Sequence, residues 1–172
     1  MAKFHPELDL LTEYAAGSLS LAQAACVAAH MNYCEQCRRT AGQLEDLGAT
    51  LFDSLQPEAV GDVQLNAVLA RLDDLPPLSY TRVEQPLAGQ TPALLQRLMR
   101  GDFADLAWKK ITKTLSISYL STGDPGYEFA LYHIKAGGKI PEHTHRGSEM
   151  TLVLEGGFSD ADGSYHPGDF IY

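Results

Sequence analysis

At 172 residues the chain is long enough for one full domain or two small ones, and 45% hydrophobic against 20% charged residues excludes a disordered polar chain. A net charge of −9 argues against direct nucleic-acid binding, because phosphates demand a cationic surface. No run of about 18 apolar residues exists to span a bilayer, and "MAKFHPELD" has no secretory pattern, so the expected location is cytoplasmic, with no membrane contact.

The first part of the chain reads as helices. In "PELDLLTEYAAGSL", Leu8, Leu11, Ala15 and Leu19 recur every three or four residues, and Pro6 suits a first helical turn. Gly17 and Ser18 mark a break, with Ser18 or Ser20 as the cap of the next helix. "LAQAACVAAHMNY" is a second helix of small residues that allow close packing. "EQCRRTAGQLEDLGATLFDSL" is a third, with a stripe of Leu44, Leu47, Leu51 and Leu55, and "VQLNAVLARLDDL" a shorter fourth with Leu65, Val68, Leu69 and Leu72. These stripes are core or partner surface. Residues 1–75 hold 11 acidic and 4 basic residues, a net −7, which suits a basic protein partner.

Residues 76–93 read as an extended, proline-rich linker, since 76–92 alone holds four of the nine prolines. "ALLQRLMRG" is one more short helix, stopped by Gly101. The texture then changes to strands: "LSISYLS", "YEFALYHIKAG" and "SEMTLVLEGGFSD" are β-branched or aromatic runs between glycine-containing turns. Eleven of the fifteen glycines lie in residues 76–172, which predicts an antiparallel sandwich or barrel there.

Two constellations carry chemistry. In "HMNYCEQC", His30 and Cys34 lie four apart, on one face of a helix, and Cys34 and Cys37 form a C-x2-C knuckle. Thiolate and imidazole together suit Zn2+, and a structural site takes four protein ligands. Cys26, four residues before His30, and His5, ahead of the first helix, compete for the fourth place. A ligand at His5 would staple the first helix to the corner between the second and third, whereas Cys26 in "AACVAAH" has the setting of a small buried thiol. The competing reading of Cys34 and Cys37 is a redox pair, for which the surroundings lack a βαβ pattern.

The second constellation is "GGKIPEHTHRGSEMTLVLEG", which sets Gly137, His143, His145, Glu149 and Gly156 in a G-x5-H-x-H-x3-E-x6-G spacing. Residues two apart on a strand point the same way, so His143 and His145 face one side, and Glu149 reaches the same pocket from the next strand. Two imidazoles and a carboxylate suit Zn2+, Fe2+, Mn2+ or Ni2+. His133 reads as a hydrogen-bonded histidine among Tyr127, Phe129 and Leu131, and His166 as a turn residue ahead of "PGD".

"HPELDLLTEYAAGSL" followed by "HMNYCEQC" resembles the zinc-binding anti-sigma domain of bacteria. "GGKIPEHTHRGSEMTLVLEG" looks like the first cupin motif and "GSYHPGD" like the P-G-D half of the second, and together with the helical motifs they resemble the ChrR family of anti-sigma factors. The resemblance implies structural zinc on His5, His30, Cys34 and Cys37. It implies a second metal on His143, His145 and Glu149, whose usual fourth ligand, a histidine beyond the P-G-D turn, does not appear before Tyr172. The expected fold is α then β: a small all-α zinc-binding bundle at 1–75, the linker, and an antiparallel cupin β-barrel at 94–172, truncated at its C-terminal end.

The function so implied is non-enzymatic. The helical domain would bind one extracytoplasmic-function sigma factor, block its association with core RNA polymerase, and release it under singlet-oxygen or organic-peroxide stress sensed through the cupin. The alternative is a metal-dependent, dioxygenase-like cupin enzyme with an accessory helical domain. A thiol switch at Cys34 and Cys37 is compatible with the first reading.

Overall fold

The computed structural model describes residues 2–59, 61–72, 91–140 and 147–172. Five helices come first: α1 (Leu8–Ala15), α2 (Leu21–His30), α3 (Glu35–Asp53), α4 (Asp62–Leu72) and α5 (Ala93–Met99). Gly17, at a φ of +68°, turns the chain out of α1. Ser20, rather than Ser18, caps α2 in a reciprocal box: Gln23 N–H donates to Ser20 Oγ at 3.3 Å, and Ser20 N–H to Gln23 Oε1 at 3.2 Å.

The second helix stops at His30, three residues short of the expected Tyr33. Its last turn is closed by Tyr33 N–H and Cys34 N–H, both donating to the His30 carbonyl. The stop is enforced from the other side, since Cys34 is in extended conformation and its Sγ accepts from Cys37 N–H at 3.4 Å, capping α3. Arg38 also donates across the corner to the Met31 carbonyl. Most of the expected linker lies outside the described residues; at its end, Pro92 is buried at the start of α5 and Ala93 begins the helix. The left-handed residue that ends α5 is Arg100 (φ 59°), one place before Gly101.

A 3-10 turn at Phe103–Asp105 leads into the strands β1 (Lys109–Lys110), β2 (Leu115–Leu120), β3 (Phe129–Ile134), β4 (Thr151–Leu152), β5 (Phe158–Ser159), β6 (Ser164–Tyr165) and β7 (Phe170–Ile171). They pair antiparallel as β1-β2-β3, β4-β7 and β5-β6, with β2 and β3 in register from Leu115↔Ile134 to Leu120↔Phe129. "SEMTLVLEGGFSD", expected as one strand, is two. Gly156 (φ +68°) turns the chain between them, and a Cβ on Gly157 would come within 2.5 Å of the Tyr165 carbonyl oxygen. The described strands thus form three small antiparallel sheets, with no closed barrel among the described residues.

The packing joins what the sequence reading keeps apart. Leu11, Cys26, Val27, Cys34 and Cys37 of the helical region form a core with Phe170 of β7, and Phe129, Met150 and Leu152 pack against it. α2 meets α1, α5 and β4. Its small residues make this feasible: Ala22, Ala25 and Ala29 are all buried, so neighbouring elements approach its backbone closely.

Candidate metal centre

His5, His30, Cys34 and Cys37 converge, each offering one donor atom, and all four donors lie within 4.8 Å of one another. His5 Nδ1 is 3.4 Å from Cys34 Sγ and 3.6 Å from Cys37 Sγ, and His30 Nε2 is 3.3 Å from Cys37 Sγ. Bonds of about 2.0–2.3 Å to one tetrahedral ion require donor separations of about 3.4–3.8 Å. The three histidine–cysteine spacings, 3.3, 3.4 and 3.6 Å, are close to that range, and all four donors lie within 4.8 Å of one another. Two soft thiols and two imidazoles are also the donor chemistry that zinc prefers.

Local structure explains how each donor arrives. His30 ends α2 and Cys34 caps α3, so the helix–helix corner carries one ligand on each side. Cys37 lies one turn into α3, and His5 comes from the extended segment before α1. The two rings meet edge to face, with centroids 5.6 Å apart.

His30 is fully buried, and its Nδ1 lies 2.8 Å from the Gly168 carbonyl oxygen. A carbonyl can only accept, so Nδ1 carries the proton and Nε2 turns its lone pair toward the cluster. Burial lowers the His30 pKa, countered by the Gly168 hydrogen bond and reinforced by nearby His5. Burial pushes the Cys37 thiol up to about 12, with the Cys34 thiol adding to the rise. Burial therefore favours neutral His30 and protonated Cys37, and the Cys37 thiolate calls for a cation beside it.

Cys26 does not join the group. It is buried in the core, its thiol raised to about 12 by desolvation. Of the second constellation, His143 and His145 lie outside the described residues. Glu149 is exposed two residues before β4 and accepts from Thr151 Oγ1 at 3.5 Å. His133 departs from expectation: it is exposed, with its ring edge-on to Trp108 at 5.8 Å. His166 is exposed, and its backbone N–H donates to Asp169 Oδ2 at 2.8 Å.

Sequence reasoning missed Gly168, Asp169 and Tyr33 as neighbours of the cluster. Gly168 has a φ of +92°, and a Cβ there would lie 2.6 Å from Tyr33 Cβ. Tyr33 Oη donates to the Leu154 carbonyl at 3.2 Å. "PGD" was legible as a turn, but its partner lies 138 residues away.

Among the described residues no helix is long and apolar enough to cross a membrane. Residues 96–172 match the family model of the ChrR cupin-like domain. Anti-sigma-E factor ChrR of Cereibacter sphaeroides is 34% identical over 172 residues, an alignment that covers 97% of this chain and 77% of the relative. A chain in the crystal structure of Rhodobacter sphaeroides SigE in complex with the anti-sigma ChrR superposes with a TM-score of 0.81 at 32% identity, covering 99% of this chain and 86% of that one. Helical region, His/Cys cluster and cupin-like strands occur here in one chain, and that chain belongs to the ChrR family of anti-sigma factors.

Proposed function

We propose that this protein is a cytoplasmic anti-sigma factor that binds one extracytoplasmic-function sigma factor through its helical region and withholds it from core RNA polymerase. Membership of an anti-sigma family makes it a regulator rather than an enzyme.

The observation that carries the reading is the set of large apolar side chains left open on α3, just after it, and on α4. Leu47, Leu51, Phe52 and Leu55 are exposed, as are Val63, Leu65, Val68, Leu69 and Leu72, and α4 has no buried residue at all. An amphipathic helix that shows its apolar side to water is a docking surface for a partner. Acidic residues around it suit a partner whose DNA- and polymerase-facing surfaces are basic.

In this reading His5, His30, Cys34 and Cys37 hold a structural Zn2+, which supplies the cross-link between helices that a core this small needs. Division into a zinc domain at 1–75, a linker at 76–93 and a cupin domain at 94–172 is part of the same proposal; a family match that begins at residue 96 supports it. The described strands would belong to a cupin barrel that holds Zn2+, Fe2+, Mn2+ or Ni2+ on His143, His145 and Glu149. That site would sense singlet oxygen or organic peroxide and shift the protein toward release of sigma.

The test is co-expression of the full chain with a panel of small sigma factors. A stable 1:1 complex with one of them is expected, and failure to retain any would end the proposal. The variant His143→Ala/His145→Ala should still bind sigma but no longer release it under stress. Loss of binding would contradict the division of labour.

A further inference from the structure

We infer that Asp169, in the P-G-D turn of the β region, is a positioning residue for the metal cluster of the helical region, acting on His5 through the Lys3–Phe4 backbone and on His30 through the Gly168 carbonyl. The inference rests on the reading of His5, His30, Cys34 and Cys37 as a zinc site.

Asp169 is 1% exposed, which is expensive for a carboxylate unless donors meet it. Three backbone amides do. Lys3 N–H and Phe4 N–H donate to Oδ1 at 2.5 and 3.1 Å, and His166 N–H donates to Oδ2 at 2.8 Å. The last bond closes the turn on itself, together with Asp169 N–H donating to the His166 carbonyl at 2.9 Å. The first two reach across more than 160 residues to the segment that carries His5. Phe170 N–H donates to the Phe4 carbonyl at 3.1 Å, so the segment is gripped on both its donor and acceptor sides.

The same turn supports the second imidazole. Gly168, beside Asp169, presents the carbonyl that accepts from His30 Nδ1, and the Phe170 ring packs edge-on to His30 with centroids 5.8 Å apart. Residues 168–170 therefore touch the supports of both histidines at once. Without them, the extended segment that carries His5 would lose these tethers, and the metal would have to order that segment on binding. Charge-assisted bonds to a buried carboxylate are stronger than neutral ones, which suits Asp169 to this task. The consequence is that the P-G-D turn, a cupin element by sequence, helps to set the lability of the zinc in the other half of the chain.

The experiment follows zinc transfer from the purified full-length chain to excess chelator, after metal content is measured. Asp169→Ala should release zinc about 10–100-fold faster than the unaltered chain, the usual range for loss of an outer support of a metal ligand. Asp169→Asn should show a smaller acceleration, because its amide oxygen still accepts from Lys3 and Phe4 while its NH2 opposes the His166 N–H. The control is Asp160→Ala, which removes a turn carboxylate whose partners among the described residues, Asp162, Gly163 and Tyr165, belong to its own hairpin. It should leave release unchanged. With Co2+ in place of zinc, the visible ligand-field band should shift in Asp169→Ala and not in Asp160→Ala.

One zinc per chain with release unchanged in both Asp169 variants overturns the inference and leaves the zinc reading standing. Equal acceleration in Asp160→Ala overturns it too, since that marks general loosening. If Asp169→Ala does not fold, Asp169→Asn decides by the same criterion. An unaltered chain that holds no zinc overturns both the inference and the reading beneath it.

Discussion

Cys26 and His5 show what a single residue's surroundings decide. By spacing alone, Cys26 shares a helical face with His30 as well as any ligand does. Its thiol faces the core instead, raised from 9.0 to about 12 by desolvation, with nothing nearby that favours the thiolate. We expect Cys26→Ser to keep one zinc per chain and Cys34→Ser or Cys37→Ser to lose it, as metal analysis will show. Burying a hydroxyl in place of the thiol should cost about 1–3 kcal/mol in denaturant melts. The pH dependence has a definite sign. The unfolded chain loses this proton before the folded one, so the Cys26 contribution to stability is intact below about pH 9 and falls away as pH rises toward 12. Alkylation of Cys26 in the folded protein should accordingly be negligible at pH 8.

At the scale of elements, capping and exposure separate helices that look alike in sequence. The Ser20–Gln23 box satisfies orphan amides at the start of α2, and Ser20→Ala should lower stability by about 1 kcal/mol in a thermal or denaturant melt. α3 has two roles along one stripe: Leu44 packs against the core, whereas Leu47, Leu51, Phe52 and Leu55 face water. Leu51→Asp and Phe52→Asp should therefore change folding stability by no more than about 0.5 kcal/mol while abolishing sigma retention. Unchanged retention would place the docking surface elsewhere. The 3.6-residue period that reveals a stripe says only that one side is apolar. Whether that side meets the chain's own core or another protein depends on the other elements.

For the whole molecule, the His/Cys cluster and the core are one structure. Cys34 and Cys37 belong to the same buried group as Leu11, Val27 and Phe170, so an ion held there would be part of a very small apolar centre. Chelation of the purified chain should lower its thermal midpoint and reduce helical circular dichroism, with recovery on adding Zn2+. An unchanged midpoint would mean that packing alone holds α1, α2 and α3.

The amino-acid sequence by itself determined the helices, the change to strands after residue 106, and the converging H-x3-C-x2-C residues, because each is written in spacings of two to seven residues that local geometry converts directly into a shared face. It also narrowed the fourth ligand to two residues. Tertiary structure brings His5 to the cluster, as the family resemblance implied, and it alone decided that the apolar sides of α3 and α4 are left open and that Gly168 and Asp169 stand behind the two histidines. Those outcomes depend on contacts between residues up to 166 positions apart. Such contacts are fixed by how whole elements pack around a shared core, and no short stretch of the chain carries a signal for them.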